Sequence, residues 1–333
     1  MFTVSARKLI LEIDGLAPGD IVYFTATLRD LHTRWPGRFL TDVRTKWSEV
    51  LEHNPYITPI ADDDPQAKHV KLDIFALLNQ NSDCGMHVIH TFHYDLEDKL
   101  GIRIPLSQFK PDLHLSIGEM AKRWNSGKPY WVLNAGGKTD MSLKWPIEGV
   151  LQQVIDHFKD RFTFIQVGDK GSFRDRADIT RDGGIHSYHP KLNNVVDMVG
   201  HTSIRELFSL IYQSQGVLTP VSMPMHVSSA FAMGGAIRPC VVMAGGREPS
   251  HWEQYPGHTY LNSFGKLSCS LSGRGCWKSR RHGDDELFGF KEKSNECHAI
   301  IGIDGNSYPI CMTKIRSVSI IEAIEEYGHV SLS

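Results

Sequence analysis

The apolar positions fall into short unbroken runs alternating with helical stripes. Lys8–Ile13 predicts a strand, Asp14–Asp20 a loop, and Ile21, Phe24, Leu28 and Leu31 the buried face of a helix from Ile21 to about Leu31. Arg38–Val43 predicts a second strand and Arg44–Glu52 a second helix, with further short runs in ITPI and HVKLDIFAL. MHVIH has the pattern of a strand entering a loop. Phe109–Lys128 lacks strong periodicity and is the linker candidate, after which PYWVLNAGG is a strand running into a glycine pair. Ile147, Val150, Leu151, Val154, Ile155 and Phe158 repeat at a helical period, and FTFIQVG is the next strand.

The stretch Asn194–Gly257 continues this alternation. NNVVDMVG is strand-like, and Ser203 with Glu206 three residues on gives a capping box for a helix buried along Ile204, Leu207, Phe208 and Ile211. VLTPVSMPMHVSSAFAMGG predicts a loop turning into a short helix that stops at Gly234–Gly235. RPCVVMA is a valine-rich strand buried on both faces, emptying into the polar loop GGREPSHWEQYPG. Near the C-terminus Ser319 and Glu322 offer a second capping box, with an apolar stripe at Ile320, Ile321 and Ile324. Strand, loop and helix in this order predict an α/β chain whose ligands bind beyond the carboxyl ends of parallel strands.

Composition narrows the classes. The 333 residues suit two domains, taken as 1–127 and 128–333. Lys and Arg total 36 against 38 Asp and Glu, so no global charge attracts nucleic acid. No apolar run reaches a membrane span, and the N-terminus lacks a secretory signal, which makes the cytoplasm the expected compartment. There, six cysteines are read as thiols or metal ligands rather than disulfides. Cys84 and Cys240 lie in apolar surroundings, as small core residues do.

Candidate chemistry follows from local context. Asp20 stands just before the first helix, where it is either an N-cap or a carboxylate exposed at the mouth of the sheet. Gly136 and Gly137, with Lys138 or Lys144 near a helix start, have the makings of an anion site. ADDDP at Ala61–Pro65 contains an Asp-x-Asp but reads as a solvated turn. His87, His90 and His93 recur every third residue. A metal there is a minor reading, and His90 and His93 are the candidates for acceptor recognition. Cys269, Cys276, Cys297 and Cys311 are spaced Cys-x6-Cys, twenty residues, Cys-x13-Cys. They lie in a segment poor in periodicity, 265–312, and four thiolates suit tetrahedral Zn or Fe; free thiols are the alternative.

Several of these segments resemble bacterial heptosyltransferases, which transfer sugars from ADP-heptose. VGHTSIREL, the Pro-Met-His within Met223–His226 and the strand ending in Gly-Arg-Glu-Pro are similar to the donor-binding half. GDIVYFTATLRDLH is similar to the family's first helix opening and KWP to its lysine-containing element. The resemblance implies a GT-B fold, two Rossmann-like domains facing a cleft, with a cysteine-rich C-terminal insertion and a terminal helix, 318–327, that crosses back to the first domain. It implies an inverting glycosyltransferase, with Asp20 as general base and Lys144 on the donor phosphate. Ser222, Met225, His226, Gly246 and Arg247 would complete the donor site. Where the family has Asp-Ser/Thr-Gly this chain has Val221, Ser222 and Met223. The cysteines resemble the metal finger of the heptosyltransferases that glycosylate autotransporter adhesins, implying structural Zn or Fe, and no catalytic metal is expected. The partners expected are an ADP-sugar donor, a saccharide, small-molecule or protein acceptor, and further copies in a homo-oligomer. Competing readings are a non-catalytic nucleotide-sugar-binding or protein-interaction module on the same fold, and a UDP-sugar epimerase of similar design.

Overall fold

The computed structural model describes residues 5–15, 17–74, 85–124, 128–180, 182–270, 275–276, 279–282 and 296–330; Cys84 falls outside them. Three parallel strands open the chain, β1 (Arg7–Glu12), β2 (Phe39–Arg44) and β3 (Ala67–Lys71), in the order β2-β1-β3. Six more form a second parallel sheet: β4 (Tyr130–Asn134), β5 (Thr163–Val167), β6 (Val195–Asp197), β7 (Gly216–Pro220), β8 (Cys240–Gly245) and β9 (His258–Asn262). Their order is β9-β8-β7-β4-β5-β6, so the chain winds outward from β4 one way and from β7 the other. That reversal, at the carboxyl ends of β4 and β7, is the switch point where open α/β sheets place their ligand crevice.

Helix α1 (Pro18–Arg34) is buried on nearly all sides through its middle, from Ile21 to Leu31, which forces its polar residues to find partners. Asp30 takes hydrogen bonds from Arg29 (2.8 Å) and Ser107 (2.5 Å), and the His93 ring lies 2.9 Å away. Burial pushes the Asp30 carboxyl up, but these partners outweigh it and hold it at about 2. His93 belongs to α2 (Thr91–Leu100), which packs on α1. The Arg44–Glu52 helix reduces to a 3-10 turn over Ser48–Leu51. Thr45 Oγ1 there accepts the Trp47 N–H at 3.3 Å, a local bond that competes with helix formation. MHVIH is likewise a 3-10 turn (Val88–His90), capped by His87 and continuing into α2 rather than a strand. The acidic turn is solvated and paired: Asp64 meets Lys8 at 2.6 Å and Asp62 meets Arg44 at 2.7 Å.

The short α3 (Ile117–Ala121) is joined to α5 (Ile204–Gln213) by Glu119, which takes two hydrogen bonds of 2.7 Å from Arg205. Both capping boxes form, Ser116–Glu119 and the expected Ser203–Glu206. α4 (Glu148–Phe158) covers the second sheet with the stripe its sequence specifies. The segment expected as loop, VLTP, is the fully buried β7; its Pro220 is the last strand residue, where a missing N–H does no damage to the ladder. Gly216 at its start is required, because a Cβ there would stand 2.6 Å from the Trp131 ring. α6 (Met223–Ala230) follows, and Gly234–Gly235 turn a short hairpin rather than end the helix. α7 (Ser250–Glu253) lies in the GGREP loop. α8 (Ser317–Val330) starts before Ser319, which is therefore not its cap, and Ile320, Ala323 and Ile324 pack on α4 and the second sheet. The expected crossing to the first sheet gives way to this nearer apolar surface.

Candidate functional site

The crevice at the strand-order reversal is bridged by polar groups. Asn134, ending β4, donates to Ser222 Oγ at 3.0 Å, just beyond β7. Lys144 donates to the Val221 carbonyl at 3.3 Å, so its stem spans the same gap. Across it lies the start of α1, whose Gly19 is close enough to α6 that an added Cβ would stand 3.4 Å from both Met223 Cα and the His226 ring. Tyr23 and His226 rings are 5.4 Å apart. The two halves of the chain meet here.

Asp20 sits in the first turn of α1, not before it, because the helix begins at Pro18. Its carboxylate accepts the Ala17 N–H at 2.8 Å and the Tyr23 hydroxyl at 3.1 Å, so it caps the first turn of α1 from within the helix. Burial raises the Asp20 pKa, while Ala17, Tyr23, Lys144 and Lys138 draw it partly back. Lys144 pairs with Glu248 at 2.5 Å, and Arg247 binds the same oxygen. Two cations thus share one carboxylate at the edge of the crevice.

His226 is buried, with Nδ1 2.9 Å from the Tyr255 hydroxyl and Nε2 3.8 Å from Glu253 Oε2. Burial, aided by His87, Lys144 and His258, lowers its pKa to about 3, so the ring is neutral. Burial likewise pushes the Glu253 carboxyl well above the usual range, with the Glu248 and Asp20 charges adding to the shift against Lys144 and Arg247.

The remaining candidates divide. Lys138 is exposed on a two-residue strand paired with Ser187–Tyr188, and its charge still reaches Asp20. Gly136 is needed because a Cβ would stand 1.9 Å from the Tyr188 carbonyl, and its N–H is directed to Asn134. Gly137 pairs with Tyr188, so this glycine pair shapes a turn rather than an open amide cradle. Met225 is wholly buried in the core and Gly246 packs on Cys311. His93 has both ring nitrogens engaged, by Thr27 or Ile89 and by Asp30, which makes it a core histidine without an atom to offer an acceptor. His90 is half-buried beside it. His87 instead lies against Tyr255 and Phe109 near the crevice. Tyr23, Glu248, Glu253 and Tyr255 were not singled out from the sequence, although WEQY lies just beyond the GREP motif, after Ser250 and His251, and carries two of them.

The four tail cysteines approach one another. Cys276 N–H donates to Gly246 O at 3.2 Å, and a Cβ on Gly246 would lie 3.1 Å from Cys311 Cβ. Burial pushes the Cys311 thiol up to about 12, and Cys276, Cys297 and Cys269 each add to that shift. Cys276 is raised to about 11 by burial, with Cys297 and Cys269 contributing. Among the described residues the donor group whose ligand atoms all lie within 4.8 Å is Glu52, His53 and Glu119, not the cysteines. Arg205 already neutralises that cluster. Cys240 is buried in β8, as expected.

No protein-family model matches the chain, and no curated protein matches it. Solved structures do. The glycosyl transferase family 9 protein of Veillonella parvula DSM 2008 is similar over 97% of this chain and 97% of its own, at 12% identity and TM-score 0.61. TibC of enterotoxigenic E. coli H10407 is an iron-containing dodecameric glycosyltransferase. Its structure with ADP-D-beta-D-heptose is similar over 99% of this chain and 78% of its own, at 15% identity and TM-score 0.66. E. coli ADP-heptose lps heptosyltransferase II is similar over 97% of this chain and 99% of its own, at 12% identity and TM-score 0.58. No helix among the described residues is long and apolar enough to cross a membrane. With its two parallel sheets meeting at a crevice and its likeness running the length of these proteins, the chain has the GT-B fold.

Proposed function

We propose that the chain is an inverting glycosyltransferase that moves a sugar from a nucleoside-diphosphate donor, with ADP-heptose the leading candidate, to an acceptor hydroxyl. The observation that carries this reading is the placement of Asp20, with a raised pKa, within electrostatic reach of Lys144 at the crevice. In a single displacement one group must take the acceptor proton while others hold the departing diphosphate. Asp20 is the base; Lys144 and Arg247 hold the phosphates, exchanging Glu248 for the ligand's oxygens. Residues 1–127 carry the acceptor side and 128–333 the donor side. Partner copies of the chain are part of this reading, in line with the dodecameric TibC. So is a cytoplasmic setting, with which the five free cysteines among the described residues agree. The test is a thermal-shift panel of nucleoside diphosphates and their sugars, since a ligand that binds only the native state raises its melting temperature. A diphosphosugar should give the largest shift; no shift from any of them would refute the reading.

The same reading includes a structural metal, Zn or Fe, held by Cys269, Cys276, Cys297 and Cys311. The chemistry of the donor set suits it: burial and neighbouring cysteines raise the Cys276, Cys297 and Cys311 thiols, and binding as metal thiolates would relieve that repulsion. Bound there, the ion would tie the cysteine loops to the end of β8. Elemental analysis of protein purified without added metal should give about one Zn or Fe per chain. No metal, with all four thiols titratable in the native state, would contradict it.

A further inference from the structure

We infer that Glu253, with Glu248 beside it, receives the hydroxyls of the sugar being transferred; this rests on the glycosyltransferase reading of the same crevice. Glu253 is only 8% exposed, and its buried Oε2 has no hydrogen-bond partner. His226 Nε2 stands 3.8 Å from it, too far for a hydrogen bond. Glu248 has one oxygen taken by Lys144 and Arg247, while its other, Oε2, is buried and equally unpartnered. Two adjacent buried acceptors without donors are expensive to leave so, and a ligand that supplies hydroxyl donors would satisfy both.

The position identifies which part of the ligand this is. In a displacement the sugar must lie between the base and the departing phosphate. Glu253 feels both ends, since Lys144 and Asp20 both act on its carboxyl. A group in reach of both therefore borders the sugar itself rather than the nucleobase. Burial favours the protonated form of Glu253, and a carboxyl in that form can donate as well as accept, which matches a hydroxyl. A divalent cation is a poor occupant, because Lys144 and Arg247 already supply two positive charges at this spot. The backbone supports the role: Trp252 and Tyr255 are buried on either side of Glu253, and Tyr260 donates to the Glu248 carbonyl at 3.0 Å. At the end of β7, where an acid could have served, the chain has Val221 and Ser222. The loop after β8 supplies the carboxyls instead.

The test compares the affinity of a bare nucleoside diphosphate with that of its sugar, ADP and ADP-D-beta-D-heptose first, otherwise the best-binding pair from the thermal-shift panel. Glu253→Ala should leave the bare diphosphate within about twofold and weaken the nucleotide sugar about tenfold, the effect of losing one well-placed hydrogen bond in a buried site. Glu253→Gln, which keeps size and both hydrogen-bonding functions, should retain most of the preference and guards against a folding artefact. An unchanged ratio in the Ala variant would overturn the inference. So would equal loss for both ligands, which marks a phosphate or structural role. If the wild type binds no diphosphosugar at all, the glycosyltransferase reading falls first and takes this one with it.

Discussion

Asp20→Asn should lower turnover by about 10²–10⁴, the usual contribution of a positioned general base, with donor affinity unchanged. The asparagine keeps the size of Asp20 and an oxygen for the Ala17 N–H, so the first turn of α1 remains capped. What is lost is the ability to take a proton. The stability change has a definite sign. Burial raises the folded-state pKa of Asp20, so its stabilising contribution is fully present below the unfolded value and lost as pH rises through the folded value. Near neutral pH the ionised aspartate is the less comfortable occupant, and Asn should leave the melting temperature unchanged or raised. The same shift predicts that wild-type activity falls with acid at a higher pH than for an ordinary aspartate. Wild-type turnover in the Asn variant would remove Asp20 from the chemistry. A large drop in melting temperature with matching loss of activity would make it a cap and nothing more.

Lys144→Ala should weaken binding of the bare nucleoside diphosphate by about ten- to a hundredfold, because a charge-assisted contact in a partly dry site is removed. The structure also alters the expectation for stability. Lys144 is no free surface lysine: it holds Glu248 at 2.5 Å and crosses to the Val221 carbonyl. Its loss leaves Glu248 to Arg247 alone, so some destabilisation accompanies the loss of affinity. Lys144→Met keeps the apolar stem and separates the two effects. Calorimetry on both variants, read beside their melting temperatures, is the check. Unchanged affinity in both would move the phosphate site to Lys138 or Arg247.

The parts of the fold legible in the sequence were those where one periodicity dominates. β1, β4, β5 and β8 are apolar runs, and α4 and α5 carry stripes that their burial reproduces. β7 falls in the stretch expected as loop: Thr219 closes its hydroxyl onto the Pro220 carbonyl and the strand ends there. α1 shows the opposite case. Its apolar stripe suggests a half-buried helix, but burial through its middle is nearly complete, paid for by the Arg29–Asp30–His93 network that no local pattern displays. Of the candidate site, motifs marked Asp20, Lys144, His226 and Arg247, which lie near one another in the structure. Glu248 and Glu253 were not, since their roles depend on burial and on missing partners rather than on spacing. His93 and Met225 are buried in the core, which no spacing or motif discloses.

The most direct test of the account is a structure of the chain with a bound nucleotide sugar. It should find the diphosphate within hydrogen-bond distance of Lys144 and Arg247, Glu248 released from at least one of them, and the sugar between Glu253 and Asp20. A nucleotide sugar bound elsewhere on the chain, with the Lys144–Glu248 pair intact, would contradict it.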